Sequence, residues 1–66
     1  MKNQINVQLI KNFMETNNLS ATKFCKLCQI SPITFKKIMV NDLRFHISAL
    51  FKISRILKVQ VHELFY

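Results

Sequence analysis

The chain has 66 residues, with ten lysines and arginines against three acidic residues, for a formal net charge of +7. That length makes one domain with a modest core and excludes a second one, while the positive field favours a polyanion, either nucleic acid or an anionic membrane surface. Half the residues are hydrophobic, glycine is absent and proline occurs once, so tight hairpins are disfavoured and a helical bundle is expected.

Cys25 and Cys28 are the whole cysteine complement. They cannot build a disulfide framework and fit a reduced, cytoplasmic setting. No stretch approaches the roughly 18 to 20 apolar residues that span a bilayer. The start, Met1-Lys2-Asn3-Gln4, lacks the apolar run of a signal peptide.

A first helix is expected after Asn6, an N-cap residue type, with Ile5 and Ile10 placed as a hydrophobic staple. Ile10, Phe13 and Met14 continue at helical spacing, and Asn17-Asn18 end the helix. Ser20 caps a short second helix with Phe24, Cys25 and Cys28 inward and Lys23 and Lys26 outward. A turn at Gln29-Ile30 leads to the strongest start signal in the chain: Ser31 as N-cap and Pro32 at the first helical position. Phe35 and Ile38 are the core contacts of this third helix, which leaves Ile33, Thr34, Lys36 and Lys37 outside. Asn41 ends it. After a loop to His46, a fourth helix carries Ile47, Leu50, Ile53, Ser54 and Leu57 as one stripe. Val59, Val61, Leu64 and Phe65 predict a short fifth helix. The expected fold is all-α: a compact bundle of about five short helices, with residues 1–66 as one domain and a helix-turn-helix over about 20–40.

Two short helices joined by a tight turn, the second exposed and basic, suit the DNA major groove, which is about 12 Å wide. Many small bundles share that pattern, and a family resemblance is what makes it specific. Leu19-Ser20-Ala21-Thr22-Lys23-Phe24-Cys25 is similar to the helix 2 opening of the XRE/Cro-repressor family. Ile30-Ser31-Pro32-Ile33-Thr34-Phe35-Lys36-Lys37-Ile38 resembles the recognition helix of that family. Ile47, Leu50, Ile53, Leu57, Val59, Glu63, Leu64 and Phe65 match its closing pattern, and the register runs without a gap from about Ile10 to Phe65.

The resemblance implies a lambda-repressor-like DNA-binding fold and a sequence-specific transcriptional regulator, a repressor more than an activator. It places Ser31, Pro32, Ile33 and Lys37 toward base edges. Ser20, Ala21, Thr34, Lys36, Asn41 and Arg44 fall near phosphates. The chain departs from the family at Ala21, where a phosphate-binding Gln is common. It departs again at Gln29 and Lys58, where the family has Gly; a positive φ at either would cost on the order of 1 kcal/mol. Met14 and Met39 stand where family members pair an Arg with a Glu, so both partners are replaced together.

Cys25-Lys26-Leu27-Cys28 has no second ligand pair in sequence, so core packing is expected rather than metal or redox work. His46 and His62 fall at helix starts and are read as surface or capping residues. With three acids and no nucleophile–base pattern, no enzyme and no cofactor are expected. No segment after Tyr66 offers an inducer site, so control is expected through concentration, dimerisation or a second protein. Leu27, Val40, Leu43, Phe45, Phe51, Ile56 and Tyr66 are apolar beyond what the family core needs. This surplus suggests a homodimer through the C-terminal region, using Phe51, Leu64 and Tyr66. The alternative is a protein-interaction module, an antitoxin or a phage or mobile-element adaptor, on the same fold. A cationic helix lying on a membrane fits the capped multi-helix pattern poorly.

Overall fold

The computed structural model describes residues 4–65, in which each α-helix is fixed by local capping before any packing is considered. In α1 (Val7–Thr16), Asn6 Oδ1 accepts from the Leu9 N–H at 3.2 Å. Ile5 and Ile10 flank this cap and are both buried, as a hydrophobic staple requires. Asn17 Nδ2 donates to the Phe13 carbonyl at 2.9 Å, and Asn18 turns the chain with a φ of 54°.

Ser20 opens α2 (Ala21–Cys28) by accepting from the Lys23 N–H at 3.2 Å. Ser31 opens α3 (Pro32–Met39) by accepting from the Thr34 N–H at 3.0 Å, with Pro32 at the first position. The fourth helix, α4 (Ser48–Leu57), has no side-chain cap from Ile47. His46 acts in its place, its Nδ1 accepting from the Ser48 N–H at 3.1 Å.

Among the described residues, four non-glycine residues have positive φ: Asn18, Gln29, Asn41 and Lys58. Each closes a helix. At Gln29 (φ 60°) the turn lets the Ile30 N–H reach the Cys25 carbonyl at 3.0 Å, and at Lys58 (φ 60°) it lets the Val59 N–H reach the Ser54 carbonyl at 3.0 Å. These bonds satisfy carbonyls that a helix end would otherwise leave open. Asn tolerates this conformation, whereas Gln and Lys pay for a Cβ against the carbonyl. Gln29→Gly and Lys58→Gly should therefore each stabilise the fold by about 0.5–1 kcal/mol in urea unfolding. Asn18→Gly, made as a control, should be nearly neutral.

The core joins all these elements. Ile5, Ile10, Phe24, Cys28, Ile38, Ala49, Leu50, Ile53 and Leu64 form one buried cluster. Phe24 lies at its centre, edge-on to Phe13 at 6.2 Å between ring centroids and tilted against Phe35 at 5.6 Å. Ser54 is the buried polar residue of α4, and its hydroxyl donates to the Phe51 carbonyl at 2.8 Å.

Among the described residues the structure has four α-helices and no strands beyond one isolated bridge. The expected fifth helix is a single 3-10 turn, Val61–Leu64, with Gln60 N–H donating to the Glu63 carboxylate at 2.9 Å. Phe65 leaves that turn extended and pairs antiparallel with Ile5, and the Asn6 N–H donates to the Leu64 carbonyl at 2.7 Å. Two sequence expectations change here. Leu64 is fully buried and so cannot form part of an exposed dimer face, while Ile47, expected inside, is about half exposed at 51%. The reason is positional: Ile47 precedes the first turn of α4 and sits at the edge of an open cleft with Leu43, Phe45, Leu50 and Phe65. Tyr66 lies outside the described residues.

Candidate nucleic-acid interface

A helix advances about 100° per residue, so Ile33, Lys36, Lys37 and Val40 share one side of α3 and Phe35 and Ile38 the other. Burial follows this division. Ile38 is fully buried, while Ile33 and Val40 are 70% and 67% exposed. Phe35 packs against the core, and Lys36 lies exposed. The third helix is thus anchored by one side and presents the other, apolar at both ends and cationic between.

At the leading end of α3 the polar groups are partly committed. Ser31 Oγ lies 3.0 Å from Thr34 Oγ1, in addition to capping the Thr34 N–H. One of the two hydroxyl protons is used in that contact, leaving the pair a single proton to donate outward. Ser20, at the start of α2, is exposed and keeps its own hydroxyl proton while its oxygen accepts from Lys23. None of the four α-helices has an acidic residue in its first turn. The positive ends of their dipoles are therefore uncompensated, which favours anions nearby.

The loop after α3 is more organised than its sequence indicates. Lys37 Nζ donates to the Arg44 carbonyl at 3.0 Å, and Arg44 Nε and Nη2 donate to the two oxygens of Asp42 at 2.9 and 3.0 Å. The Asp42 N–H in turn reaches the Lys37 carbonyl at 2.8 Å. Asn41 stands apart from this linkage. Its Oδ1 accepts from the Ile5 N–H, tying the end of α3 to the N-terminal segment, and its Nδ2 remains as a donor.

The hydrogen bonds from Arg44 bring the Asp42 carboxyl from its ordinary 3.8 down to about 2. Ionised Asp42 is thus favoured more in the folded chain than in the unfolded one. That stabilisation is present above about pH 4 and is lost as pH falls toward 2. Between pH 4 and pH 2 the melting temperature of the wild type should therefore drop further than that of Asp42→Asn, measured by circular dichroism.

Other sequence expectations are met by position. Met14 and Met39 line the same open groove of about 620 Å³, together with Ser20, Ala21 and Phe35, consistent with a joint replacement of an ion pair. Cys25 and Cys28 are buried, with free thiols. Burial and the neighbouring Cys25 push the Cys28 thiol up to about 11. Two partners had no local signal: Asn41 for Ile5, and Lys52, whose Nζ donates to the Gln29 carbonyl at 3.1 Å. The last contact holds the turn between α2 and α3 from α4. The Asp42–Arg44 pair is local, two residues apart in Asp-Leu-Arg.

A capped helix, a left-handed turn and a second capped helix with an outward basic side make up a helix-turn-helix unit. The chain belongs to the family of Cro/C1-type HTH DNA-binding domains, which it matches over residues 10–66. No curated protein and no solved structure matches it. The family resemblance carried by Leu19–Cys25, Ile30–Ile38 and the closing helix pattern is thereby established, and with it a DNA-binding domain as the class of protein. Among the described residues no helix is long and apolar enough to cross a membrane.

Proposed function

We propose that residues 1–66 act as one domain, a sequence-specific regulator of transcription that works in the cytoplasm as a repressor by laying α3 in the DNA major groove. The observation that carries this reading is the outward side of α3, where exposed Ile33, Lys36 and Val40 stand opposite a buried anchor at Ile38. In this reading Ser31, Pro32, Ile33 and Lys37 face base edges. Ser20, Thr34, Lys36, Asn41 and Arg44 meet the backbone on either side. Lys37 keeps two ammonium protons beyond the one given to Arg44, enough to approach guanine O6 and N7. Arg44 spends two of its five N–H donors on Asp42, and the remaining three are available to a phosphate. Repression follows from occupancy alone and needs no inducer or cofactor.

The oligomer in this proposal is a homodimer, which would set two reading helices about 34 Å apart. Leu43, Ile47 and Phe51 are 46%, 51% and 53% exposed. Leu43 and Ile47 border a cleft of about 210 Å³ with Phe45, Leu50 and Phe65. This apolar set keeps Phe51 from the face expected from sequence and leaves out Leu64, which is buried. The same patch is what favours the second reading, an adaptor or antitoxin whose main partner is another protein.

Selection from a random duplex pool tests the proposal. A regulator enriches one motif, and its affinity falls steeply between about 50 and 200 mM salt as phosphate counterions are released. An adaptor binds all duplexes weakly and enriches none. Sedimentation that finds a monomer at high concentration, with and without DNA, removes the dimer.

A further inference from the structure

We infer that α3 reads thymine methyl groups, through Ile33 flanked by Pro32; this rests on the placement of α3 in the major groove. The residues of α3 are Pro-Ile-Thr-Phe-Lys-Lys-Ile-Met. They include no Asn, Gln or Arg to make bidentate contacts with adenine or guanine, and the two lysines, Lys36 and Lys37, lie past the leading turn. The hydroxyls of Ser31 and Thr34 are bonded to each other at 3.0 Å, and one Lys37 proton is held by the Arg44 carbonyl. Hydrogen-bond readout by the leading turn is therefore sparse.

What that turn does present is hydrocarbon. Among the described residues Ile33 is the most exposed of the large apolar side chains, at 70%, and it occupies the second position of the helix, beside exposed Pro32. The leading residues of a recognition helix are those that meet base edges. The apolar feature of the major groove is the thymine C5-methyl, which neither adenine, guanine nor cytosine shares. A branched side chain projecting from the leading turn buries that methyl, and its loss should weaken binding about fourfold per contact by methyl-transfer energetics. A dimer on two half-sites doubles the exponent, to about fifteenfold.

Uracil supplies the test, because it lacks the methyl and keeps every hydrogen-bonding group of thymine. Two random-sequence duplex pools, one made with thymine and one with uracil throughout, are offered to the full chain at fixed salt. The wild type should enrich a motif from the thymine pool. On that motif, uracil should weaken binding about fourfold at one or two positions per half-site. Ile33→Ala should bind the thymine form more weakly and show no difference between the two forms at those positions. Enrichment of the same motif with equal affinity from both pools overturns the methyl inference and leaves the regulator reading standing. So does an Ile33→Ala chain that keeps the full thymine preference. Salt-insensitive binding to both pools, or none, overturns the DNA reading and the methyl inference together.

Discussion

Phe24→Ala should leave the protein about half unfolded or worse at 25 °C. Phe24 has no exposed surface and touches aromatic partners on two other helices, Phe13 of α1 and Phe35 of α3. Truncating a buried Phe costs about 3–5 kcal/mol, part of it the cavity that remains. The edge-on pairing with two rings adds to what is lost. A single core in a chain this small supplies on the order of 3–5 kcal/mol in total. Loss and reserve are thus equal, and the helical circular dichroism signal should be weak with no baseline before the urea transition. Leu27→Ala, three residues on in the same helix at a 48% exposed position, should change stability by less than about 1 kcal/mol. A Phe24→Ala chain that still unfolds cooperatively, with a loss below about 1 kcal/mol, would mean the rings do not centre the core.

The contrast between those two positions is legible in the amino-acid pattern alone, and the reason is local. Caps and periodicity act over three or four residues, so Asn6, Ser20 and Ser31 mark helix starts and Phe24 and Cys28 mark an inner stripe. The same logic places Ile33 and Lys36 outside and Ile38 inside. It fails where the deciding contact is distant or where too few residues define a period. Asn41 bonds to Ile5 across 36 positions, and no neighbouring residue advertises that. Leu64 sits in a four-residue 3-10 turn, too short to distinguish an inner side from an outer one. Ile47 fits the stripe of α4 by spacing, yet the helix begins one residue later and leaves it half exposed at the edge of a cleft. For the candidate interface, periodicity names which side chains share a side of α3. It does not reveal that Lys37, Arg44 and Asp42 are linked, because side-chain hydrogen bonds in a loop depend on a backbone path the pattern does not encode.

That linkage separates two kinds of residue within the proposed interface. Lys37, Asp42 and Arg44 hold one another, so a change at any of them alters loop geometry along with charge. Ile33 makes no such bond and buries little surface in the free protein. It is therefore the position where DNA contact can be changed with least disturbance to the fold.

Ile33→Glu should move stability and DNA affinity in opposite directions. The first turn of α3 contains no acidic residue, and a carboxylate at its second position meets the positive end of the helix dipole. Such a placement stabilises by about 0.3–1 kcal/mol, and the 70% exposed isoleucine gives up little packing in exchange. The melting temperature should hold or rise. In the groove the same carboxylate faces phosphates and acceptor-rich base edges with no cation gained to offset it, and like-charge contact across an interface costs several kcal/mol. Affinity for the selected duplex should fall by about 100-fold or more, and the slope of log affinity against log salt should shrink by about one phosphate equivalent. Ile33→Gln, nearly the same shape without the charge, should lose far less. A fall below about tenfold in a chain as stable as the wild type would show that the leading turn of α3 does not enter the groove. A partner protein bound through Leu43, Ile47 and Phe51 would in that case be unaffected, since those side chains belong to the loop and to α4 and not to the outward side of α3.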